Sequence, residues 1–423
     1  MEYYFKKSEA NRQTADYIER EYHGYNGPLI VENYPDLPKL ASSILEAFYE
    51  LGYTPGDVNG RTLEHFVPSP IMVNDGVFAH PERQYLRPAL HRKNLLVLIN
   101  SFVTRVLFDQ SGTKATGVEF QDKWGNVRTV KALKEVILSA GVIGSPQILL
   151  LSGVGPREEL SKVGIKTVRD LPVGRNLHAH VGYYIRVNVK DPSYLNVTTD
   201  SLNRYLKHHK GPFASTGISQ LTGFLSTSYA AKGIPDIQIF VDYFGPKCRD
   251  AKTRQEPFEI NFRPIYIVTK CRGTVTLRSS NPYDKPLINP NYLCSDEDVD
   301  RLLEVQDIIK KVVQTKALKS KVVQYNTGNE ICKARHEGNS KEYWRCVIHY
   351  YTEGEHHHGG SCKMGPKSDP DAAVDNELRV HGIENLRVSD ASVMPTPVNS
   401  NPQSTIVMMS EKLSDIIKKE RNP

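Results

Sequence analysis

The 423-residue chain carries 54 basic and 48 acidic residues, a net charge of +6, with 39% hydrophobic and 24% charged residues. This composition is typical of a globular protein, and the scattered basic residues form none of the blocks or aromatic-interleaved stripes with which proteins bind nucleic acids. No stretch approaches the roughly 18 consecutive apolar residues of a membrane span, so we expect neither a nucleic-acid partner nor a membrane span.

The first predicted helix covers residues 37–51. Leu40, Ile44 and Phe48 recur at helical spacing, and Gly52 follows as a stop signal. The pattern predicts a short amphipathic helix.

Short strand-like runs follow, joined by tight turns. They fall at 95–99, 103–108, 115–120, 127–130 and 135–139. They predict an antiparallel meander that leads into one buried strand.

A predicted helix comes directly after that strand. Ser145 and Pro146 offer a helix cap and a first-turn proline, and the apolar run continues to Leu151 before Gly153. A strand, a glycine bend and a helix in succession indicate part of a nucleotide-binding α/β layer.

The second half of the chain predicts a separate domain built on a sheet. Its predicted elements are strands at 237–241, 265–269 and 273–277 and a helix at 296–313. The chain then returns to a strand at 386–388, a proline-rich loop at 395–402 and a final helix from about Ser404 to Lys419.

All six cysteines follow residue 240, and none forms a CxxC pair. This spacing argues against a structural zinc site, and we expect no metal. The even count is compatible both with disulfides and with buried thiols.

Several blocks of sequence carry a family resemblance. They are AGVIGSPQILLLSGVG at 140–155, HHGGSCKMG at 357–365, LRVSDASVMP at 386–395 with Asn401-Pro402-Gln403 after it, and the stretch from Gly273 to Tyr292. In this order they resemble the glucose-methanol-choline (GMC) oxidoreductases, with the character of the arthropod glucose-dehydrogenase-like branch. The resemblance covers almost the whole chain.

The resemblance implies an α/β (α+β) fold, with an incomplete FAD-binding Rossmann-like layer and a sheet-based substrate domain. It implies FAD-binding parts at 85–175 and 365–423, and a substrate-binding domain at 1–84 and 176–364. The family opens with a strand, a G-x-G-x-x-G turn and a helix that hold the FAD pyrophosphate, and this chain contains no such motif. We therefore expect a truncated form, whose own activity the sequence leaves open.

The activity implied is FAD-dependent oxidation of an alcohol, either a sugar or a small alcohol, by hydride transfer to the flavin. His357 matches the active-site histidine and is the expected base, since an imidazole suits proton transfer near neutral pH. Asn401 matches the second member of the catalytic pair. The matches to cofactor-binding positions are Val103, Gly141, Asp390, Ala391, Pro402 and Gln403.

Four of these positions also have purely structural explanations. Gly141 could end a strand, Asp390 could cap a turn, and Pro402 with Gln403 could start the final helix. Two places depart from the family pattern: residues 76–83, where a Gly-x-Arg-x-Ser-Thr type of run is usual, and Ala179, where an acidic residue usually precedes the histidine.

The sequence leaves other hypotheses open. One is a catalytically inactive relative that kept the scaffold as a binding or storage protein, and a remoter one is a lyase. The alcohol stays open, as does the electron acceptor, oxygen or a quinone-like carrier. Cys332 and Cys346 are similar to a cysteine pair in arthropod relatives, which implies a disulfide. The location is also open, and secretion requires a signal peptide upstream.

Overall fold

The computed structural model describes residues 1–190, 198–214, 219–243, 258–326, 330–338 and 340–421. Its helices are α1 Glu2–Ser8, α2 Leu40–Glu50, α3 Arg87–Ala89, α4 Gly141–Leu151, α5 Arg157–Lys162, α6 Thr199–His208, α7 Asp296–Val313, α8 Glu330–Lys333, α9 Lys341–Tyr351 and α10 Gln403–Arg421. Short 3-10 turns lie at Arg20–Tyr22, Pro212–Ala214 and Ala391–Val393, and a π-helical turn lies at Glu82–Leu86.

The strands, numbered in chain order, are β1 Glu9–Asn11, β2 Leu29–Val31, β3 Phe66–Pro68, β4 Val73–Asn74, β5 Val77–Phe78, β6 Phe102–Phe108, β7 Ala115–Gln121, β8 Val127–Lys131, β9 Val136–Leu138, β10 Val181–Gly182, β11 Ile185–Val189, β12 Leu221–Leu225, β13 Ile237–Tyr243, β14 Phe258–Tyr266, β15 Thr274–Thr276, β16 Leu287–Asn289, β17 Val322–Asn326, β18 Glu353–Gly354 and β19 Leu386–Val388. The fold mixes helices and strands, and the predicted α/β (α+β) class is confirmed.

The chain forms two compact units. Unit 1 comprises Met1–Leu90, Val181–Val268 and Ser295–Glu353, and unit 2 comprises His91–His180, Thr269–Cys294 and Gly354–Pro423. All eight residues predicted for the site belong to unit 2. The division into FAD-binding parts and a substrate domain stays a prediction.

Unit 1 is built on an antiparallel sheet with the strand order β17-β11-β14-β13-β12-β3, and β10 pairs with the end of β14. Alternate side chains of a strand point to one face. On one face Phe66 and Phe262 surround Phe48 of α2, whose ring centroid lies 3.6 Å from that of Phe66 and 6.3 Å from that of Phe262. The same sheet packs on α7, so the core of unit 1 lies between the sheet and its helices.

Several sequence predictions agree with unit 1. The predicted helices at 37–51 and 296–313 correspond to α2 and α7, and the predicted strand at 237–241 lies within β13. Ser295 caps α7 by accepting a hydrogen bond from the Asp298 backbone, and acidic residues fill the first turn, where they favour the helix dipole. Among the described residues, no helix is both long and apolar enough to cross a membrane.

A buried histidine links the first segments of unit 1. The Nε2 atom of His23 lies 2.8 Å from Asp57 Oδ2, and its Nδ1 atom lies 2.9 Å from Glu9 Oε1. Burial lowers the pKa of His23, but the hydrogen bonds to Asp57 and Glu9 outweigh it and raise the pKa to about 9. At neutral pH His23 is therefore a buried cation bonded to two carboxylates.

His23→Gln is expected to lower the free energy of unfolding by about 3 kcal/mol at neutral pH, because the buried carboxylate of Asp57 and the partly exposed carboxylate of Glu9 lose their cation. A raised pKa means that this stabilisation is complete below pH 6.5 and disappears as the pH rises through about 9. Urea unfolding of both proteins across this window measures the difference. His65→Gln is the control, because His65 bonds to Thr54 and Thr62. A difference that stays constant toward high pH would contradict the prediction.

Unit 2 contains the predicted meander. Strands β6, β7 and β8 form an antiparallel sheet in that order, and β9 pairs in parallel with β19. These strands confirm the predictions at 103–108, 115–120, 127–130, 135–139 and 386–388, and α10 confirms the final helix.

The strand predicted at residues 95–99 is wrong. The segment is irregular, and its apolar side chains are exposed, with Leu96 at 80% and Ile99 at 77%. A strand needs a neighbour for its backbone hydrogen bonds, and within the described part of the chain no strand pairs with this segment. Composition alone does not reveal whether such a neighbour exists.

The predicted start of α4 is also wrong. The helix begins at Gly141 instead of Ser145, so Pro146 lies inside it. Proline has no N–H to donate to the carbonyl four residues earlier, that of Val142. The Ser361 hydroxyl donates to that carbonyl at 2.6 Å. A side chain from a distant segment thereby replaces the helical hydrogen bond that the proline removes.

Two disulfides are present among the described residues. Cys332–Cys346, implied by the resemblance, is confirmed, and a second bridge joins Cys271 to Cys294. Cys362 is a buried thiol, and Cys248 lies outside the described residues.

Candidate active site

The segment that carries His357 is held against His178. The N–H groups of Gly359 and His178 donate to each other's carbonyl oxygen at 2.9 and 3.0 Å. Gly360 has a φ of +89°, and a Cβ atom there would lie 2.5 Å from the His178 ring. Because His178 is buried, only glycine permits this approach. The motif His-His-Gly-Gly thus fixes the backbone just after His357.

His357 and Asn401 lie together, as the sequence predicted for the catalytic pair. The Asn401 Nδ2 atom lies 2.9 Å from His357 Nε2. An amide nitrogen can only donate, so Nε2 of His357 holds a lone pair. His357 is half-buried and Asn401 is exposed, which leaves the pair accessible from solvent.

A second histidine fixes the other side of the His357 ring. His180 Nε2 lies 2.8 Å from the Val398 carbonyl oxygen, and His180 Nδ1 lies 3.0 Å from His357 Nδ1. A carbonyl only accepts, so His180 carries its hydrogen on Nε2 and a lone pair on Nδ1. His357 must therefore donate from Nδ1. This result agrees with the lone pair that Asn401 requires on His357 Nε2.

Burial keeps His180 neutral. His180 is only 1% exposed. This burial lowers its pKa to about 4, although the hydrogen bond to the Val398 carbonyl acts in the opposite direction. Burial also lowers the pKa of His178 to about 4. At neutral pH His180 is an uncharged acceptor, able to stabilise an extra proton on His357 through the Nδ1 hydrogen bond.

Sequence reasoning did not select His180. It stands beside Ala179, at the place where the chain departs from its family pattern, and Ala179 is buried with its carbonyl accepting a bond from the Thr269 hydroxyl at 2.8 Å. The available signal was the alternation of His178 and His180 in an otherwise apolar run. Such a pattern does not specify a partner 177 residues away.

Gly141 and Asp390 form a second cluster. Asp390 Oδ2 accepts bonds from the Gly141 N–H at 3.0 Å and the Ser145 hydroxyl at 2.5 Å, and Asp390 Oδ1 accepts one from the Ser392 N–H at 2.8 Å. The carboxylate therefore caps the 3-10 turn and ties it to the start of α4. Gly141 has a φ of +79°, and no atom lies within 4 Å of where its Cβ would be.

The remaining predicted residues occupy three places in unit 2. The Ala391 carbonyl accepts a bond from the Gly360 N–H at 3.1 Å, so Ala391 adjoins the histidine segment. Pro402 and Gln403 start α10, where the Pro402 carbonyl accepts from the Ile406 N–H. Val103 lies on β6, an edge strand of its sheet. The structure thus joins His357 to Asn401 and Gly141 to Asp390, whereas Val103 lies on a separate element.

The chain is similar to known oxidoreductases. The two family models of the GMC oxidoreductases match residues 2–182 and 269–410. A glucose dehydrogenase (FAD, quinone) of Drosophila pseudoobscura pseudoobscura is 38% identical over 424 residues, which are 98% of this chain and 68% of the relative. The human mitochondrial choline dehydrogenase is 34% identical over 430 residues, with the same two coverages.

Solved structures share the fold. An FAD-dependent oxidoreductase from Chaetomium thermophilum superposes with a TM-score of 0.87 at 21% identity, over 100% of this chain and 80% of that chain. A formate oxidase from Aspergillus oryzae gives 0.86 at 23% identity, over 99% and 78%. At these identities the likeness concerns the fold alone.

Proposed function

Because this chain belongs to the GMC oxidoreductase family, we propose that it oxidises an alcohol with His357 as the base that removes the hydroxyl proton. The chain is an FAD-dependent oxidoreductase of the class that acts on CH–OH groups. The observation that carries the assignment is the His357 tautomer, since His180 and Asn401 together leave the lone pair on Nε2.

The residues of unit 2 fit part of FAD, since the sequence contains no G-x-G-x-x-G motif for the pyrophosphate. The open space beside Gly141, at the start of an 11-residue helix, leaves room for a bound group near a helix N-terminus. The edge position of Val103 leaves one side of its strand without a neighbouring strand in the described sheet. We assign cofactor contacts to Gly141, Ala391 and Val103, together with Pro402 and Gln403.

Asp390 supports this region indirectly. Its carboxylate is occupied by bonds from Gly141, Ser145 and Ser392, so its role is to hold the Gly141 backbone in place. When bound, FAD supplies the acceptor for the hydride that leaves the alcohol carbon. We accordingly assign the cofactor to unit 2.

The proton step follows from the donors and acceptors of the pair. A substrate hydroxyl replaces Asn401 as the donor to His357 Nε2, and the Asn401 amide donates to the substrate oxygen instead. The proton passes to Nε2 as the carbonyl product forms. The resulting imidazolium keeps its Nδ1 hydrogen bond to neutral His180, which stabilises the new charge.

The substrate class proposed is a sugar or a small alcohol. Relatives of this chain are named as dehydrogenases of glucose and of choline, two compounds that bear hydroxyl groups. The electron acceptor proposed is a quinone or dioxygen, since one relative is named for quinone and another as oxygen-dependent.

The test is reduction of bound FAD by an alcohol under anaerobic conditions. Glucose and choline are tested, and ethyltrimethylammonium, which is choline without its hydroxyl group, is the control. We expect loss of the flavin absorbance only with an alcohol, followed by its return when a soluble quinone or dioxygen is added. An FAD-loaded protein that no alcohol reduces, over a broad panel, would instead support the inactive binding protein.

A further inference from the structure

A disulfide closes the base of a small hairpin next to the histidine segment. Strands β15 and β16 pair in antiparallel fashion, and the Cys271–Cys294 bridge joins the chain just before β15 to the chain just after β16. Cys271 is a buried residue and Cys294 is an exposed one. Nothing in the proposed proton step uses this bridge.

The chain next to Cys271 holds the loop that carries His180. Gly273 and Leu177 exchange backbone hydrogen bonds of 2.7 and 3.1 Å. The Arg272 guanidinium donates to Asn176 Oδ1 at 2.9 Å, and the Asn176 amide donates in turn to the Gly360 carbonyl at 3.3 Å. One end of the hairpin therefore supports both histidine loops.

The chain next to Cys294 holds the residue that follows His357. The Tyr292 hydroxyl lies 2.7 Å from His358 Nε2. Burial raises the pKa of Tyr292 and lowers the pKa of His358, so this hydrogen bond joins two uncharged groups at neutral pH. A Cβ atom on Gly354 would lie 2.2 Å from the Tyr292 hydroxyl oxygen. The hydroxyl is thus fitted between Gly354 and His358.

We propose that Tyr292 is a positioning residue for His357, acting through His358, and that the Cys271–Cys294 disulfide holds Tyr292 in place. The proposal rests on the proposed function of His357. His357 and His358 share one peptide, so a bond that fixes His358 limits the rotation of the backbone carrying His357. Tyr292 lies two residues from the disulfide, so opening the bridge releases the chain that orients the phenol.

The consequence is a site whose order depends on the redox state of this disulfide. A dithiol that reduces the bridge to two thiols donates two electrons and two protons, is itself oxidised to a disulfide, and leaves the proton-transfer residues chemically unchanged. The change would reach His357 only through geometry. When the bridge is reduced, we expect kcat to fall while KM changes little. The bridge acts through Tyr292, whose hydroxyl bonds to His358 and not to the substrate.

The first test is Tyr292→Phe, which removes only the hydroxyl. Tyr283→Phe is the matched control, because Tyr283 belongs to the same hairpin but is half-exposed and packs on Phe102. Hydrogen–nitrogen correlation NMR of the histidine rings reads the tautomer directly, with His357 and His358 assigned from their Asn variants. We expect Tyr292→Phe to mix the tautomers of both rings and to lower kcat about tenfold, the effect of one hydrogen bond.

An unchanged His357 tautomer together with an unchanged kcat in Tyr292→Phe would overturn the proposal. The NMR readout does not depend on turnover. If His357→Asn leaves alcohol oxidation intact, the proposed function fails, whereas a tautomer change in Tyr292→Phe would still establish the positioning role.

The second test addresses the disulfide. The double variant Cys271→Ser with Cys294→Ser is expected to reproduce the Tyr292→Phe spectrum, and adding Tyr292→Phe to it should cause little further loss. The control opens the other bridge, with Cys332→Ser and Cys346→Ser in unit 1. Mild reduction of the folded wild type provides the same comparison without a mutation. A wild-type tautomer and kcat after loss of the Cys271–Cys294 bridge would refute its role.

Discussion

His357→Asn is expected to lower kcat/KM for alcohol oxidation by about 10²- to 10⁴-fold, the range that a positioned general base contributes. The Asn side chain retains an N–H able to donate to His180 Nδ1, the partner of His357 Nδ1 at 3.0 Å. It has no counterpart of the Nε2 lone pair that lies opposite Asn401. The substitution therefore removes the base while keeping the hydrogen bond behind it.

His356→Asn is the matched control for this substitution. His356 is exposed and has a φ of +56°, a conformation that Asn tolerates well. Anaerobic flavin reduction by the alcohol measures the chemical step in both variants, and the visible spectrum before mixing checks that FAD is bound. Equal rates in His357→Asn and His356→Asn would remove His357 from the mechanism.

The proposed catalytic pair shows what the sequence was able to predict. His357 and Asn401 were selected from motifs separated by 44 residues, and the structure places their side chains 2.9 Å apart. Their chemical states were not predictable, because the tautomer of His357 depends on His180, and that of His180 depends on the carbonyl of Val398. A backbone carbonyl is present at every residue, so only the fold identifies the one that matters.

The helices and strands also fall into two groups: those that local sequence signals predict, and those that depend on residues far away in the chain. Helix α7 was predictable because its cap at Ser295 and its apolar periodicity are local signals. The start of α4 was not, because the group that satisfies the Val142 carbonyl comes from Ser361, 219 residues further along the chain. The apolar run at 95–99 has strand-like composition, but composition does not provide a partner strand.

Asp390 illustrates an ambiguity that the sequence left open. Its position matched a cofactor-binding residue of the family, and its residue type matched a turn cap. The structure shows the capping bond to the Ser392 N–H and further bonds to Gly141 and Ser145. Asp390 can cap the turn and also support the cofactor. Its carboxylate holds Gly141, and we assign the open space beside Gly141 to FAD.

His180→Phe carries the second large effect, an expected loss of about 10- to 100-fold in kcat/KM. The imidazolium formed on His357 then lacks the acceptor for its Nδ1 hydrogen, and a hydrogen bond to a charged group contributes about 1.5–3 kcal/mol. Phe has a similar shape and is compatible with a site that is 1% exposed. Because the charged form of His357 is destabilised, the acid limb of the pH profile of kcat/KM should move to lower pH.

His178→Phe separates this effect from the general cost of replacing a buried histidine. His178 is 2% exposed and bonds through Nε2 to the Met394 carbonyl, without a bond to His357. Both variants should lose stability, but only His180→Phe should shift the pH profile. Burial lowers the pKa of His180 to about 4, so at every pH above that value His180 is a neutral acceptor and the shift reflects the protonation of His357 alone. An acid limb in His180→Phe that coincides with that of the wild type, or a matching shift in His178→Phe, would contradict the role of His180 as the acceptor for His357.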